Sequence, residues 1–468
     1  MFDINSHAVE NIQSWSYDYP WKLKIVKPIK LEKQMDPLAL NLNKQIQESS
    51  QAAFDCLSDL GKQMFFPAGI LTQSAEAKEK AHRFNATIGI AVENDEPMHL
   101  NVTKKFFSNL ELKDIYPYAP PGGRPKLRKL WKDKLVKTNP TLKGKHFSTP
   151  MVTSALTHGL CIAGDLFVGQ NDVVIIPDKL WGVYRLNFVT RKGGKIVNFP
   201  MFNSQNGFNI EGFRQTVETE AVARKKIIIL LCFPNNPTGY TPLPEEAEAI
   251  CQIIKEQADK GVRIVTISDD AYFGLFYEDS IKESMFSTFC DLHENVLAVK
   301  LDGATKESYV WGFRTGFISF GTKTAKPENL YPALEMKAQG VIRSTVSSCN
   351  QPAQAIIETV LEDPEYWENL ESKYQIMESR ARQLKIILQK KHYREAWEYY
   401  PFNSGYFMCL KLTYVDAERL RVHLLDKYGI GTISLGKTDL RVAFSCIEEE
   451  NLEELFDLIF QAAKELQA

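Results

Sequence analysis

Short runs of β-branched and apolar residues alternate with amphipathic stretches between residues 173 and 321 of this 468-residue chain. The runs are VVIIP, KIVNF, KKIIILLCFP, VRIVTISD, VLAVKLDGA and RTGFISFG, and they are nearly continuous in apolar character. Strands of this kind are buried on both faces, which is typical of a mostly parallel sheet covered by helices. Two of the intervening stretches, NIEGFRQTVETEAVARK and LPEEAEAICQIIKEQADKG, have helical periodicity. The middle of the chain is therefore predicted to be a large α/β domain.

The C-terminal part has a different pattern. Residues 363 to 392 form one long helical pattern, opened by Asp-Pro and closed on basic residues, that would link two domains. After it, GYFMCLKL and LRVAFS predict strands, while VDAERLRVHLLDKYG and NLEELFDLIFQAAKEL predict helices. The chain is thus predicted to have three parts: an N-terminal arm with part of the small domain (1–100), a large domain (101–345), and a linking helix with a small α+β domain (346–468).

Composition and charge exclude several classes of function. Hydrophobic residues make up 44% and charged residues 24% of the chain, as in an ordinary globular protein. Lys and Arg number 56 against 58 Asp and Glu, so no strong field attracts nucleic acid or an anionic membrane. The N-terminus, MFDINSHAVENIQSWSYDYP, is acidic and lacks an apolar core, so we expect no signal peptide. The eight cysteines show no C-x-x-C spacing and predict reduced thiols, a cytoplasmic protein and no metal site.

The stretch GTISLGKT, residues 431 to 438, matches the phosphate-loop pattern G-x-x-x-x-G-K-[ST]. A phosphate loop lies between a strand and a helix, because the helix N-terminus supplies N–H groups to the anion. Here DLRVAFS follows, and its alternation predicts a strand. A P-loop NTPase is therefore a disfavoured alternative, which nucleotide titration would test.

Polar residues stand at the ends of three consecutive predicted strands. Asn236 lies in CFPNNPTGY, Asp269 and Tyr272 lie in ISDDAYFGLF, and KLDGATKESYVWGFRTG contains Lys306 with Arg314 eight residues later. Because open α/β sheets bind ligands at the carboxyl ends of their strands, we expect these side chains to converge on one crevice.

Pyridoxal phosphate is the cofactor whose chemistry requires this set of groups. Lys306 would form a Schiff base with it, and Asp269 would keep its pyridine nitrogen protonated. Tyr272 and Asn236 would hydrogen-bond the phenolate oxygen of the ring. Arg314 offers a forked, permanently charged partner for the phosphate.

With these motifs, residues 85 to 446 resemble the fold-type-I pyridoxal-phosphate enzymes, specifically class I/II aminotransferases of the aspartate and aromatic type. The resemblance implies a large domain with a seven-stranded-type, mostly parallel sheet and a smaller α+β domain. In VTSALTHGL it implies a phosphate-binding turn, with Ala155 and Leu156 giving backbone N–H groups and Thr157 its hydroxyl. In PDKLWGVY it implies that Trp181 stacks on the cofactor ring.

The resemblance also implies substrate contacts and a homodimer with shared active sites. Tyr118 in YPYAPPGG would reach the phosphate of the neighbouring subunit, and NATIGIA would close over the substrate near Ile90 and Ala91. In LRVAFS, Arg441 would bind the substrate α-carboxylate, with Asn236 as a further substrate contact. In GVIRSTVSSCNQPAQ, Arg343 resembles the arginine that crosses the dimer to the distal carboxylate of aspartate or glutamate, although this stretch is longer than in the family.

One position departs from the family pattern. Many members have a serine three residues before the lysine as a phosphate ligand, whereas this chain has Gly303. Thr305 is a candidate substitute, but it directly precedes Lys306.

The sequence therefore predicts a cytoplasmic aminotransferase, EC 2.6.1 type, that moves an amino group from an amino acid to a 2-oxo acid in two half-reactions. A β-lyase or decarboxylase of the same fold is an alternative, because the cofactor residues are common to all of them. A non-catalytic pyridoxal-binding regulator would need a DNA-binding domain, and WSYDYPWKLKIVKPIKLEKQ shows no helix-turn-helix pattern. The preferred amino donor and the acceptor remain open.

Overall fold

The computed structural model of the chain describes residues 35–66, 69–108 and 110–467. Residues 1–34, where the sequence predicts the start of the arm and no signal peptide, lie outside the described residues. The chain forms two compact units, divided between Phe65 and Phe66. The division into parts ending at residues 100, 345 and 468 stays a prediction.

The described part of the first unit is helical. It contains α1 (Pro37–Ser49), α2 (Gln51–Asp55) and α3 (Asp59–Gln63). Asp36, Ser50 and Ser58 precede these helices, and each side chain accepts a backbone N–H of the first turn. The side-chain amide of Asn43 donates to the carbonyl oxygen of Lys62 at 2.9 Å, which connects α1 to α3.

The second unit contains two main sheets and the remaining helices. Its strands are β1 (Phe84–Asn85), β2 (Val92–Glu93), β3 (Glu96–Pro97), β4 (Met151–Ser154), β5 (Val173–Pro177), β6 (Lys195–Phe199), β7 (Lys226–Cys232), β8 (Arg263–Asp269), β9 (Val296–Asp302), β10 (Thr315–Gly321), β11 (Trp397–Tyr399), β12 (Phe407–Leu412), β13 (Ile430–Gly431), β14 (Ile433–Leu435) and β15 (Asp439–Ala443). Its helices are α4 (Ile70–Lys80), α5 (Asn101–Phe106), α6 (Leu112–Ile115), α7 (Pro125–Thr138), α8 (Ala155–Phe167), α9 (Ile210–Ala223), α10 (Pro244–Asp259), α11 (Met285–Phe289), α12 (Ala304–Glu307), α13 (Pro327–Thr345), α14 (Gln351–Glu362), α15 (Tyr366–Leu388), α16 (Ala417–Tyr428) and α17 (Leu452–Gln467).

The large sheet has seven strands in the order β4-β10-β9-β8-β7-β5-β6. Strands β6, β5, β7, β8 and β9 run parallel, whereas β10 pairs antiparallel with β9 and β4. The predicted mostly parallel, seven-stranded sheet is confirmed, and each predicted strand from VVIIP to RTGFISFG is present. Among the seven strands of this sheet, only β4, the four-residue strand MVTS, has no counterpart in the sequence-based prediction.

Successive residues of the central strands pack into different cores because strand side chains alternate between the two faces of a sheet. In β7, Ile227 and Ile229 pack in one cluster with residues of α7, α9 and α10. Ile228 and Leu230 pack in another cluster with residues of α8 and α13. Helices therefore cover both faces, which explains why these strands are apolar at nearly every position.

The second sheet is antiparallel, with four strands in the order β11-β12-β15-β14. Its core includes residues of α15, α16 and α17. Strand β1 pairs in parallel with β13, with Phe84 opposite Ile430. Residues just after β1 are thereby placed beside β15, where the amide of Ala443 donates to the carbonyl oxygen of Ala86 at 2.9 Å.

The predicted single helix over residues 363 to 392 is wrong at both ends. Asp363 accepts the amide of Glu365 with its side chain and the amide of Tyr366 with its carbonyl, so the Asp-Pro segment forms a turn before α15. At the other end, Lys391–Glu395 forms a separate 3₁₀ turn. Within the ranges given above, no helix combines the length and apolar character needed to cross a bilayer.

The stretch GTISLGKT contains a β-hairpin. Leu435 of β14 pairs with Asp439 of β15, and Gly436, Lys437 and Thr438 form the exposed turn between them. Strand β15 follows the Lys-Thr pair where a phosphate loop would need a helix. The sequence-based rejection of a phosphate loop is confirmed by this local structure.

Two neighbouring substitutions in the hairpin turn test the hairpin assignment. Gly436 has a φ of 65°, and an added Cβ would meet nothing within 4 Å, so Gly436→Ala strains only the backbone. We expect a loss of about 1 kcal/mol of stability for Gly436→Ala. Lys437→Ala, on the exposed turn, should change stability by no more than about 0.5 kcal/mol. Urea unfolding followed by tryptophan fluorescence measures both, and equal losses would contradict the hairpin assignment.

Candidate active site

The carboxyl ends of β7, β8 and β9 lie together because these strands pair in register. Cys232 at the end of β7 is opposite Asp269, and Asp269 is opposite Leu301 near the end of β9. The segments that follow carry Asn236 and Lys306. The parallel register therefore brings the three predicted polar segments to one edge of the sheet, as expected from the sequence.

Asp269 is a buried carboxylate with polar neighbours and no ion pair within the described chain. Its side chain is 2% exposed, the Tyr184 hydroxyl donates to it at 2.7 Å, and the amide of Ala271 donates at 3.2 Å. Burial raises the pKa of Asp269 to about 6, although the Tyr184 hydrogen bond and the charge of Lys306 lower it. A cationic N–H group placed here, such as a protonated pyridine nitrogen, would stabilise the ionised carboxylate.

Lys306 lies in the one-turn helix α12, with its amine 4.6 Å from the centre of the Tyr272 ring. Burial lowers the pKa of this amine, and the charge of Asp269 opposes the shift. A lowered pKa increases the neutral, nucleophilic fraction of an amine at neutral pH. Lys306 is therefore suited to attack a carbonyl carbon.

Arg441 is a buried guanidinium without a carboxylate partner among the described residues. It is 2% exposed, donates to the side-chain oxygen of Asn236 at 3.0 Å and to the carbonyl oxygen of Thr87 at 2.6 Å, and lies 4.3 Å from the Phe407 ring centre. Its Nε atom has no hydrogen-bond partner in that part of the chain. Burial lowers the pKa of Arg441 to about 10. A ligand carboxylate would supply the missing counter-charge.

The segment NATIGIA lies against the same residues. An added Cβ on Gly89 would come within 3.2 Å of the Tyr272 hydroxyl and of the Phe407 ring, so the backbone of this segment is close to the site. The Ser445 hydroxyl donates to the carbonyl oxygen of Ile90 at 2.6 Å. Ala91 is fully buried in the core of the smaller sheet, and Gly89 is the member of the segment that faces Tyr272.

The turn before α8 has a strained backbone. Ala155 and Arg314 both have left-handed conformations, with φ of 61° and 52°, and the amide of Ala155 donates to the carbonyl oxygen of Arg314 at 2.9 Å. Leu156 and Thr157 continue the first turn of α8. Left-handed residues other than glycine cluster at functional sites, and a helix N-terminus favours an anion. A turn with these two features is suited to bind an anion such as a phosphate.

Gly303 stands where many family members have a serine, and steric crowding explains why this chain has a glycine there. A Cβ there would lie 2.8 Å from both the Cα of Gly316 and the carbonyl oxygen of Thr315, so β10 leaves no space for a side chain. The hydroxyl of Thr305 is buried and lies 3.4 Å from the Thr315 carbonyl oxygen. Thr305 thus faces the start of β10.

The remaining predicted residues are more peripheral. Trp181 is partly exposed and packs edge-on against Tyr184, with ring centres 5.8 Å apart. Tyr118 is 92% exposed. Arg343 is exposed on α13 and donates to the Ser347 hydroxyl at 2.6 Å. A single chain brings neither Tyr118 nor Arg343 into hydrogen-bond contact with the buried groups described above.

Two features of the site were missed by the sequence analysis. Tyr184 follows Trp181 by three residues in PDKLWGVY, and this spacing on one turn was the available signal. Lys179, in the same segment, forms an ion pair with Asp439 at 2.6 Å, two residues before Arg441 on β15. No sequence signal connects these two, since they are far apart in the chain.

These groups fit pyridoxal phosphate. The site holds a depressed-pKa amine, a buried carboxylate lacking a cation, an unpaired guanidinium and a strained turn at a helix N-terminus. The described residues contain no cluster of three or more His, Cys, Asp and Glu side chains with the geometry for a metal ion.

Comparison with known proteins agrees with this chemistry. The sequence model of the family "Aminotransferase class I and II" matches residues 93–459, so the chain belongs to that family. An aspartate aminotransferase of Sulfurisphaera tokodaii is 26% identical over 313 residues, or 65% of this chain and 72% of that protein. A solved aminotransferase from Anaerococcus prevotii has a TM-score of 0.77 at 23% identity, covering 88% of this chain and 100% of that chain.

A second relative and a second structure give the same result. A probable aspartate/prephenate aminotransferase of Aquifex aeolicus is 26% identical over 263 residues, or 56% of this chain and 62% of that protein. A multiple substrate aminotransferase from Thermococcus profundus has a TM-score of 0.73 at 16% identity, covering 88% of this chain and 98% of that chain. The protein is an aminotransferase of fold type I, and its cofactor is pyridoxal phosphate.

The Tyr184 hydrogen bond gives a pH prediction. The bond favours ionised Asp269, so Tyr184→Phe should raise the pKa of Asp269 further. The fall in cofactor affinity on acidification should then begin at higher pH, by about one unit for a bond worth about 1.5 kcal/mol. Cofactor dissociation constants between pH 5 and 8 measure the shift.

Tyr393→Phe is the matched control, because that hydroxyl donates to Asp457 in another part of the protein. If the acidic limb of the plot of cofactor affinity against pH does not move in Tyr184→Phe, or moves equally in the control, Tyr184 does not set the pKa of Asp269.

Proposed function

We propose that this aminotransferase transfers the amino group of a dicarboxylic or aromatic amino acid to a 2-oxo acid by a ping-pong mechanism. The observation that carries the proposal is the closeness of three groups: the Lys306 amine lies over the Tyr272 ring, its charge acts on Asp269, and Arg441 donates to Asn236. An amine, an acid without a cation and a guanidinium without an acid have complementary roles toward an amino acid and pyridoxal phosphate.

In this proposal, the Lys306 amine would hold pyridoxal phosphate and, with an amino acid bound, would move the proton at the substrate Cα. Bound pyridoxal phosphate supplies the electron sink that makes this proton removable. Asp269 would stabilise a protonated pyridine nitrogen, while Asn236 and Tyr272 would hydrogen-bond the ring oxygen. Trp181 would pack against the ring.

The remaining groups anchor and orient. Ala155, Leu156, Thr157 and Arg314 would bind the phosphate. Arg441 binds the α-carboxylate, which places the Cα–H bond for removal. The segment with Ile90 and Ala91 would cover the substrate and exclude water, and its Gly89 lies so close to Tyr272 that an added Cβ would come within 3.2 Å of the Tyr272 hydroxyl.

We further infer a cytoplasmic homodimer with shared sites. Tyr118 and its neighbours Leu112 and Tyr116 are 92%, 73% and 76% exposed, and an exposed group of large apolar side chains is typical of an interface. Tyr118 of the partner subunit would bind the phosphate. All eight cysteines are free thiols, which supports a reducing compartment.

We assign recognition of the substrate side chain to Arg343 of the partner subunit. Its exposed position on α13 and its long side chain are compatible with reaching a second site, and the two relatives described above are named as an aspartate aminotransferase and a probable aspartate/prephenate aminotransferase. An aromatic substrate is the second candidate, because Tyr272 and Phe407 line the space beside Arg441.

The proposal is tested first by the amino-acid panel. We expect purified holoenzyme to form glutamate from 2-oxoglutarate with one or more of aspartate, tyrosine and phenylalanine, and to release the 2-oxo acid of the donor. Lys306→Ala should lower turnover by at least about a thousandfold, because the proton at Cα loses its base. The exposed Lys437→Ala is the control. Release of ammonia or carbon dioxide in place of glutamate would identify a lyase or decarboxylase.

The second test concerns the substrate side chain. Arg343→Ala should lower kcat/KM for aspartate and glutamate by about tenfold to a hundredfold, since a charge-assisted hydrogen bond is worth about 1.5–3 kcal/mol. Values for tyrosine and phenylalanine should change little. Arg382→Ala, another exposed arginine, is the control. Equal losses for both substrate groups would assign Arg343 a structural role, and no wild-type activity with either dicarboxylate would discard the assignment.

A further inference from the structure

An acidic residue directly follows each of the two groups at the centre of the site. Asp270 follows Asp269, and Glu307 follows Lys306. Both are buried, with 2% and 7% of their surface exposed. Since neither acidic side chain hydrogen-bonds to Asp269 or Lys306 in the described chain, their partners must lie elsewhere in the protein interior.

Those partners are two buried lysines. Asp270 forms an ion pair with Lys300 of β9 and accepts a hydrogen bond from the Ser284 hydroxyl at 2.6 Å. Glu307 forms an ion pair with Lys134 of α7. Lys300 is 0% and Lys134 is 5% exposed. The residue that follows Asp269 at the end of β8 is thus fixed to β9, and the helix that carries Lys306 is fixed to α7.

Asp302 connects the two pairs. It lies 3.7 Å from the Lys300 amine and accepts a hydrogen bond from the indole N–H of Trp131 at 3.0 Å, one turn before Lys134 on α7. The aromatic rings of Trp131 and Phe273 lie over the two lysine amines, at 4.3 Å and 4.9 Å from their centres. We call the group formed by Lys134, Asp270, Lys300, Asp302 and Glu307 the buried charge network.

The network has three carboxyl groups and two amines. Fully ionised, it would carry a charge of −1 inside the protein, which is strongly unfavourable. One oxygen of Asp302 and one of Glu307 have no hydrogen-bond partner in the described chain, so both have a free acceptor. The Tyr366 hydroxyl, which also packs against this region, pairs with Ser308 at 3.2 Å and brings no charge.

Asp302 is the group best placed to hold the balancing proton. Burial raises its pKa to about 7; Lys300 and Lys134 oppose the increase, while Glu307 and Asp270 add to it. Asp270 and Glu307 each have a dedicated amine, whereas Asp302 has only the more distant Lys300 and the neutral indole of Trp131. Neutral Asp302 leaves the two ion pairs undisturbed.

We propose that Asp270 and Glu307 are positioning residues for Asp269 and Lys306, and that the network holding them is kept neutral by one proton on Asp302. The proposal rests on the proposed roles of Lys306 and Asp269. When Asp302 ionises, its carboxylate competes for Lys300 and Lys134, and the ion pairs of Asp270 and Glu307 weaken. Cofactor affinity then decreases as pH rises.

The proposed proton on Asp302 is tested with Asp302→Asn, because asparagine has nearly the same shape as aspartic acid and stays neutral. In wild-type protein we expect the pyridoxal phosphate dissociation constant to rise at least fivefold more between pH 6.5 and 8.5 than in this variant. The unfolding temperature of the apoprotein should also fall more in the wild type than in the variant between pH 5 and 7, since a carboxyl whose pKa is raised to about 7 in the folded protein loses its stabilising contribution between its unfolded pKa and that value. Parallel pH curves in both measurements would overturn the proton assignment.

The positioning role is tested with Lys134→Met/Glu307→Leu. Replacing a whole buried ion pair with apolar residues tends to keep stability, whereas removing one member does not. We expect the double variant to unfold near the wild-type temperature while kcat falls at least tenfold, KM changes less than threefold, and the pH midpoint of the visible absorption moves. Lys134→Arg, which keeps the pair, should retain wild-type kcat.

Arg214→Met/Glu256→Leu removes an ion pair between α9 and α10 and is the control for double substitution. Wild-type kcat and an unmoved absorption midpoint in a folded Lys134→Met/Glu307→Leu protein would overturn the positioning role. A Lys134→Met/Glu307→Leu protein that fails to fold, alongside a Lys134→Arg protein with impaired kcat, would also overturn it. These results differ from a failure of the proposed function, in which Lys306→Ala itself would keep normal turnover.

Discussion

The parallel, in-register pairing of β7, β8 and β9 is the constraint on which the site depends. It sets Cys232, Asp269 and Leu301 side by side, so the segments that leave these strands start from one line. The strands hold this register because their residues are apolar on both faces and pack against helices on each side. A slip of one residue would turn Asp269 away from the crevice and into a helix layer.

The site built on this edge leaves two opposite charges unpaired. Asp269 accepts hydrogen bonds from neutral donors, and Arg441 donates to neutral acceptors, although both are buried. Burial without a counter-charge disfavours ionisation of each group. For this reason the pKa of Asp269 is raised and the pKa of Arg441 is lowered. A cofactor with a cationic ring nitrogen and a substrate with a carboxylate would remove both penalties. Neutralising these two unpaired charges would therefore contribute to the binding of the cofactor and the substrate.

The sequence predicted the parts of this arrangement that depend on local patterns. Continuous apolar runs predicted the sheet, and polar residues at strand ends predicted where Asn236, Asp269 and Lys306 meet. Contacts between distant segments left no such pattern: the Lys179–Asp439 ion pair and the steric exclusion of a side chain at Gly303 both depend on how strands approach in space. The ends of α15 were also missed, because side-chain and backbone hydrogen bonds of Asp363 decide where that helix begins.

The proposed chemistry depends on Lys306 as the lysine that binds pyridoxal phosphate, and peptide mapping of the borohydride-reduced holoenzyme shows whether it does. Reduction converts the bond between the lysine and the cofactor into a stable amine, so the labelled peptide can be sequenced by mass spectrometry. The position of Lys306 beside Tyr272 and near Asp269 predicts a single labelled peptide that contains Lys306. A label on another lysine, or a holoenzyme with no reducible bond, would contradict this assignment and the site built around it.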